Sequence, residues 1–299
     1  MAKYIIGVDG GGSKCKASLY RLSATQQTSH LGDDASPIAS IVTGPANVFS
    51  SFDLAASSIM SAATQLCERQ NIKLAQCILS AGCAGGGMSA AQTKFKLWQH
   101  PFAKAYLLSD VEASCISANA QKPCALIIIG TGSCLALYHP DEFSTLGGHG
   151  MLLGDIAGGA WLGKQVLTWY LQFLDGLEDS DPLSEAMAQH LGRDANAVVE
   201  RFSHDCAKQL ASCAHYVFEQ RVSSPVCQAI LHQSTRYISA LINKAREHSE
   251  AVFIDGGLAS SYLPLLNGQR SDSLKRPFKS AEHGAFLHGS KMYRMETEK

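Results

Sequence analysis

The chain opens on two apolar runs joined by a polar tip, YIIGVDGGGSKCKASLYRL, which predicts two strands turning through glycines with Asp9 near the end of the first. The same plan returns over a hundred residues later, at positions 125–138, as ALIIIGTGSCLALY. Self-similarity at that distance predicts two related α/β domains, each starting with a hairpin, rather than a short-period array. Between the hairpins, FDLAASSIMSAATQLCERQNI sets Leu54, Ile59, Ala62, Ala63 and Leu66 at the spacing of a helix packed on a sheet. AQCILSAGCAGGG reads as a buried strand ending in a glycine loop, and AKAYLLSDVEASCISANAQ as a strand over 106–108 running into a helix near Ser109 or Asp110. Positions 163–242 read as mostly helical, with breaks near DGLEDSDPL and SSPV; AVFIDGGLAS is a strand and glycine turn, and AEHGAFLHGSKMY a terminal helix. Strands alternating with helices indicate an α/β fold whose ligand groups gather at strand ends.

At 299 residues the chain exceeds the usual single core, so two domains are expected, over 1–119 and 120–280, with the terminal helix at about 281–295 packing back on the first. Lysine plus arginine (25) nearly balances aspartate plus glutamate (26), which leaves no field to hold nucleic acid or an anionic membrane. The apolar run at the N-terminus is too short for a signal peptide, and no stretch is long enough to span a bilayer. Ten cysteines are scattered without a C-x-x-C pair, the usage expected of reduced thiols in a cytoplasmic protein rather than of disulfides or a zinc site.

Three glycine turns, DGGGSK, GTGS and DGGLAS, each follow an apolar strand, which is how exposed amides are brought to phosphate oxygens. In the first, the glycines and Ser13 would wrap a nucleotide's phosphates, Lys14 would add charge, and Asp9 would stand where a magnesium ion or its waters need a carboxylate. GGAWLGKQ comes close to a Walker A loop but fails on three counts. Gln165 replaces the hydroxyl residue, Trp161 is bulky for a phosphate loop, and no clear strand precedes it. A helix beginning near Gly158, with Trp161, Leu162 and Val166 in the core, is the better reading. Asp110, between strand and helix, suits either a functional carboxylate or a helix N-cap, and Glu112 reads as solvated. Asp155 and Asn47 suit contacts to hydroxyls or turns. His149 differs from His100, His190, His204, His215 and His232, which read as surface or helix-packing residues, in lying in the glycine loop before Asp155.

In order, GVDGGGSK, TGPANV, SDVEAS, IIIGTGS, GGHGMLLGD and FIDGGLASS resemble the N-acetylglucosamine and glucosamine kinases of the BadF/BadG/BcrA/BcrD ATPase family, within the actin-like sugar kinases. The resemblance covers nearly the whole chain. It implies an α/β architecture of two RNase-H-like domains with a ligand cleft between them, taking ATP, magnesium and an amino sugar. It implies that Asp9, Gly11, Gly12 and Ser13 lie at the phosphates and magnesium, with Gly130, Thr131 and Gly132 forming a second phosphate turn and Gly256, Gly257 and Ser261 beside the adenosine. Asn47, Ser133, Gly148, His149 and Asp155 would hold the sugar, and Asp110 would be the base for transfer to its 6-hydroxyl.

Departures fall around the sugar: His149 where animal members have Trp, Cys134 where they have Asn, and Ile156 where an acid is common. The expected reaction is phosphorylation of N-acetylglucosamine, with glucosamine second. The family's ATPase activators of 2-hydroxyacyl-CoA dehydratases, which share an iron–sulfur cluster across a dimer, are the alternative from a different class. The long helices after Gly163 suit either a homodimer face or internal packing.

Overall fold

A computed structural model describes residues 2–22, 35–140, 142–202, 207–266 and 274–298. The chain divides into two compact units. The first comprises Met1–Cys124, Tyr138–Phe143 and Pro277–Lys299, and the second Ala125–Leu137 and Ser144–Arg276.

The first unit begins with β1 (Tyr4–Gly10), β2 (Cys15–Arg21) and β3 (Ala39–Thr43), followed by α1 (Phe52–Arg69), β4 (Cys77–Cys83), α2 (Ser89–Leu97), β5 (Lys104–Ser109) and α3 (Asp110–Ala118). Its sheet runs β3-β2-β1-β4-β5, with β1 antiparallel to β2 and parallel to β4. β1 is buried on both faces, which is why it reads as a continuous apolar run rather than an alternation. Ile6 and Val8 join the core under α1, built on Ala55, Ile59, Ala62, Ala63 and Leu66. The other face meets the terminal helix: a Cβ on Gly7 would collide with the backbone of Glu282 and Phe286, so only glycine admits that approach. Each large side chain buried under α1 contributes about 1.5–3 kcal/mol. Leu54, expected on that buried stripe, is 51% exposed, and Ala55 takes its place.

The second sheet is built from β6 (Cys124–Ile129), β7 (Ser133–His139), β8 (Glu142–Gly147) and, after the helices, β9 (Val252–Asp255), in the order β8-β7-β6-β9 with β6 parallel to β9. The intervening helices are α4 (Gly159–Leu174), α5 (Pro182–Leu191), α6 (Ala195–Phe202), α7 (Ala207–Ala211), α8 (Ala214–Glu219) and α9 (Pro225–His248). After β9 come α10 (Ala259–Tyr262) and the terminal α11 (Ala281–Thr297), which packs on α3, β1 and β4 within the first unit. Ile230, Leu231, Ile238, Leu241, Ile242 and Ala245 recur at helical spacing along α9 and enter their own unit's core, so this stripe is accounted for by internal packing. Trp161, Leu162 and Val166 of α4 are buried in the same core. Among the described residues no helix is long and apolar enough to cross a membrane.

Candidate active site

In the first unit, parallel register lines up the strand ends: Gly10 pairs with Cys83, and Cys83 with Ser109. Asp9 and Asp110 are thereby brought to one edge of the sheet, close enough that Asp110 helps raise the pKa of Asp9. Burial is the largest cause, Glu282 and Asp110 add to it, and Lys14 and Lys16 oppose; together they hold Asp9 up at about 6. A carboxylate kept short of countercharge in this way fits a divalent cation or its waters. Sequence reasoning missed Glu282, whose influence arises only when α11 returns to β1 and β2, where it ion-pairs with Lys16.

Asp110 is the first residue of α3, and the cap is its neighbour: the Ser109 hydroxyl accepts from the Glu112 N–H at 3.0 Å. Asp110 is therefore not needed as the N-cap. Burial raises its pKa, while the N–H groups of Val111 and of Asp110 itself draw it down. Glu112, expected in solvent, is half-buried, has its pKa raised by burial, and lines a pocket of about 280 Å³ with Ile116, His288 and Met292.

Asn47 serves the turn: its Oδ1 accepts from the N–H groups of Phe49 and Ser50, each at 3.0 Å. That bond pattern leaves its NH2 group as the available donor. In the glycine turn, Gly11 N–H donates to the Lys14 carbonyl at 2.9 Å, while a Cβ on Gly12 would meet nothing within 4 Å. Gly12 has no left-handed φ, so neither packing nor backbone requires glycine there.

The second unit repeats this feature at Gly130 and Gly257, each facing open space with no left-handed φ. Thr131 and Gly132 complete the turn between β6 and β7, and the first amides of α4 are bound to it: Gly159 N–H donates to the Gly130 carbonyl at 2.8 Å and Ala160 N–H to that of Thr131 at 2.9 Å. Those amides are committed, which is why the Walker-like segment is no phosphate loop. Gly256, with φ of 100°, lies against the Ile129 backbone and turns the chain from β9 toward Ser261 on α10.

Five positions between Gly147 and Ala157 take positive φ: Gly147, Gly148, Gly150, Asp155 (56°) and Ala157 (73°). A non-glycine residue held there costs about 1–3 kcal/mol, so other bonds must maintain it. Asp155 accepts from the Gly150 N–H at 3.2 Å and lies against Gly132, bringing the loop's carboxylate to the glycine turn. Burial raises its pKa; the Gly150 N–H and His149 oppose. His149 and Gly148 are exposed, whereas Ser133 is 3% exposed and donates its hydroxyl proton to the Ile156 carbonyl at 2.7 Å. The side chain of Ser133 thus tethers the loop, with its hydroxyl oxygen left as an acceptor. Tyr262 adds a second tether, its hydroxyl donating to the Ala157 carbonyl at 3.0 Å.

Of the remaining histidines, His190 and His215 pack on Tyr216 and His100 on Trp98, while His204 lies outside the described residues. The nine described cysteines are buried and unbridged.

Residues 6–271 match the BadF/BadG/BcrA/BcrD ATPase family. The chain belongs to this family. A glucosamine kinase of Vibrio cholerae is 24% identical to this BadF/BadG-family chain over 293 residues, covering 96% of each chain. Among solved structures, a candidate N-acetylglucosamine kinase from Chromobacterium violaceum superposes with a TM-score of 0.85 at 24% identity, covering 97% of this chain and 99% of that one. A candidate N-acetylglucosamine kinase from Porphyromonas gingivalis gives 0.65 at 17% identity, covering 98% and 100%. These likenesses establish the mixed α/β fold with two sheets for this BadF/BadG-family protein.

Proposed function

We propose that the protein is an ATP-dependent amino-sugar kinase that transfers the γ-phosphoryl group to a hexosamine 6-hydroxyl. The observation that carries this reading is Asp110, a half-buried carboxylate at a strand end that is relieved of helix capping by Ser109. Asp110 accepts the proton of the 6-hydroxyl as that oxygen bonds to the γ-phosphorus, while the bond to the bridging oxygen breaks and ADP leaves. The glycine turns at Gly11, Gly12, Ser13 and Lys14, and at Gly130, Thr131 and Gly132, lie against the phosphate oxygens, which accept from turn N–H groups other than the internally bonded ones of Gly11 and Gly130, in keeping with the open space at Gly12 and Gly130. Gly256, Gly257 and Ser261 border the adenosine. Asp9 holds magnesium, directly or through water, and the ion when bound neutralises phosphate charge. Asn47, Ser133, Gly148, His149 and Asp155 take the sugar's hydroxyls and its 2-substituent.

In this reading N-acetylglucosamine is the first acceptor and glucosamine the second; the likeness to the Vibrio cholerae glucosamine kinase supports an amino sugar. ADP release with MgATP, measured against N-acetylglucosamine, glucosamine, N-acetylmannosamine and glucose, tests the reading. Turnover that needs an amino sugar and is lost in Asp110→Asn supports it; ADP release indifferent to every sugar rejects it.

A further inference from the structure

Asp9 lies two residues after Gly7 on β1 and so shares the face on which Gly7 admits the backbone of Glu282 and Phe286. Lys16 stands directly opposite Asp9 on β2, on that same face. A lysine and an aspartate facing each other across an antiparallel pair are within reach of an ion pair. Here the Lys16 ammonium instead pairs with Glu282, in the first turn of α11, and among the described residues Asp9 has no ion pair. Glu282 is 3% exposed. Its Oε1 also accepts from the Ser280 hydroxyl at 2.6 Å, while its Oε2 has no hydrogen-bond partner among the described residues. A buried carboxylate so short of donors loses much if its countercharge leaves, which fixes the ammonium on Glu282.

We infer that Glu282 is a positioning residue for the cation site: it draws the Lys16 ammonium off Asp9 and leaves that carboxylate free for magnesium. This inference rests on the reading of Asp9 as the magnesium carboxylate and adds the residue that keeps it open. The charge balance at Asp9 agrees, since Glu282 pushes its pKa up and Lys16 opposes. Glu282 acts on the cation only through Lys16, which separates its role from packing of α11.

Glu282→Gln keeps the shape and an acceptor for Ser280 but removes the charge that holds Lys16. The released ammonium then competes with the cation for Asp9. Manganese in place of magnesium, titrated into the full chain with ADP and followed by electron paramagnetic resonance, reads that competition without turnover. The expected result is a Kd for manganese about tenfold weaker in Glu282→Gln, the size of one cationic neighbour at a half-buried carboxylate. Adding Lys16→Met removes the competitor and is expected to restore the Kd to within about threefold, a rescue that a structural role for Glu282 does not predict. Glu282→Asp keeps the charge and should also stay within about threefold. An unchanged Kd in Glu282→Gln, a weakening that Lys16→Met does not reverse, or a Glu282→Asp as weak as Glu282→Gln overturns the inference. Asp9→Asn separates the two readings: if it binds manganese as the unaltered protein does, the magnesium role of Asp9 falls and the inference with it. If Asp9→Asn loses affinity while Glu282→Gln keeps it, the inference alone falls.

Discussion

The charge state of Asp9 makes a prediction that separates function from stability. Its carboxyl is held at about 6 against a starting value of 3.8, so the folded chain keeps this proton more tightly than the unfolded chain does. Between those values the folded state binds more protons, and stability falls as pH rises. The stabilisation from protonated Asp9 is present in full below about 3.8 and is lost as pH rises through about 6. At 1.36 kcal/mol per pH unit, the span corresponds to about 3 kcal/mol. Asp9→Asn removes the titration but keeps the shape. Equilibrium urea unfolding at pH 4 and pH 8, without nucleotide or magnesium, should show the variant gaining about 2 kcal/mol on the unaltered protein between the two pH values, since part of the span is already lost at pH 4. Phosphoryl transfer should fall sharply in the same variant. A stability difference that is the same at both pH values would refute the account of Asp9 as a half-buried carboxylate short of countercharge.

Asp110→Asn should lower kcat by roughly 10² to 10⁴ while leaving KM for ATP within about threefold, as read from initial rates. Gly12→Ala enters open space and should leave the urea midpoint unchanged while raising KM for ATP by about tenfold or more. Gly82→Ala is its counterpart: the new Cβ would stand 2.6 Å from the Cβ of Ala113, forcing β4 and α3 apart at a cost of about 1–3 kcal/mol in unfolding free energy. Tyr262→Phe leaves the Ala157 carbonyl without its partner and should cost about 1–3 kcal/mol, also by urea unfolding.

The two hairpins were legible in the sequence because their pattern is local and repeated, and both appear as β1–β2 and β6–β7. The edge strands β3 and β8 were not. Their residues alternate between partial burial and exposure, or are largely polar, so neither gives an apolar run. α1 was legible to within one position of its stripe, where Leu54 points outward and the smaller Ala55 fits beneath. Asp110 was legible as a candidate, but its distinction from a cap depended on which of two adjacent residues bonds the Glu112 N–H. Glu282 could not be read in advance, because it acts on residues more than a hundred positions away and looks locally like an ordinary helix residue. The bond from the Ser133 hydroxyl to the Ile156 carbonyl could not be read in advance, since only the fold brings the two together.

Phosphorus NMR of a reaction containing MgATP, N-acetylglucosamine and the unaltered protein tests the central claim most directly. The prediction is a phosphomonoester resonance, coupled to the sugar's C6 methylene protons, that grows in step with ADP and is absent with Asp110→Asn. Inorganic phosphate formed in step with ADP, with no sugar phosphate, would contradict it.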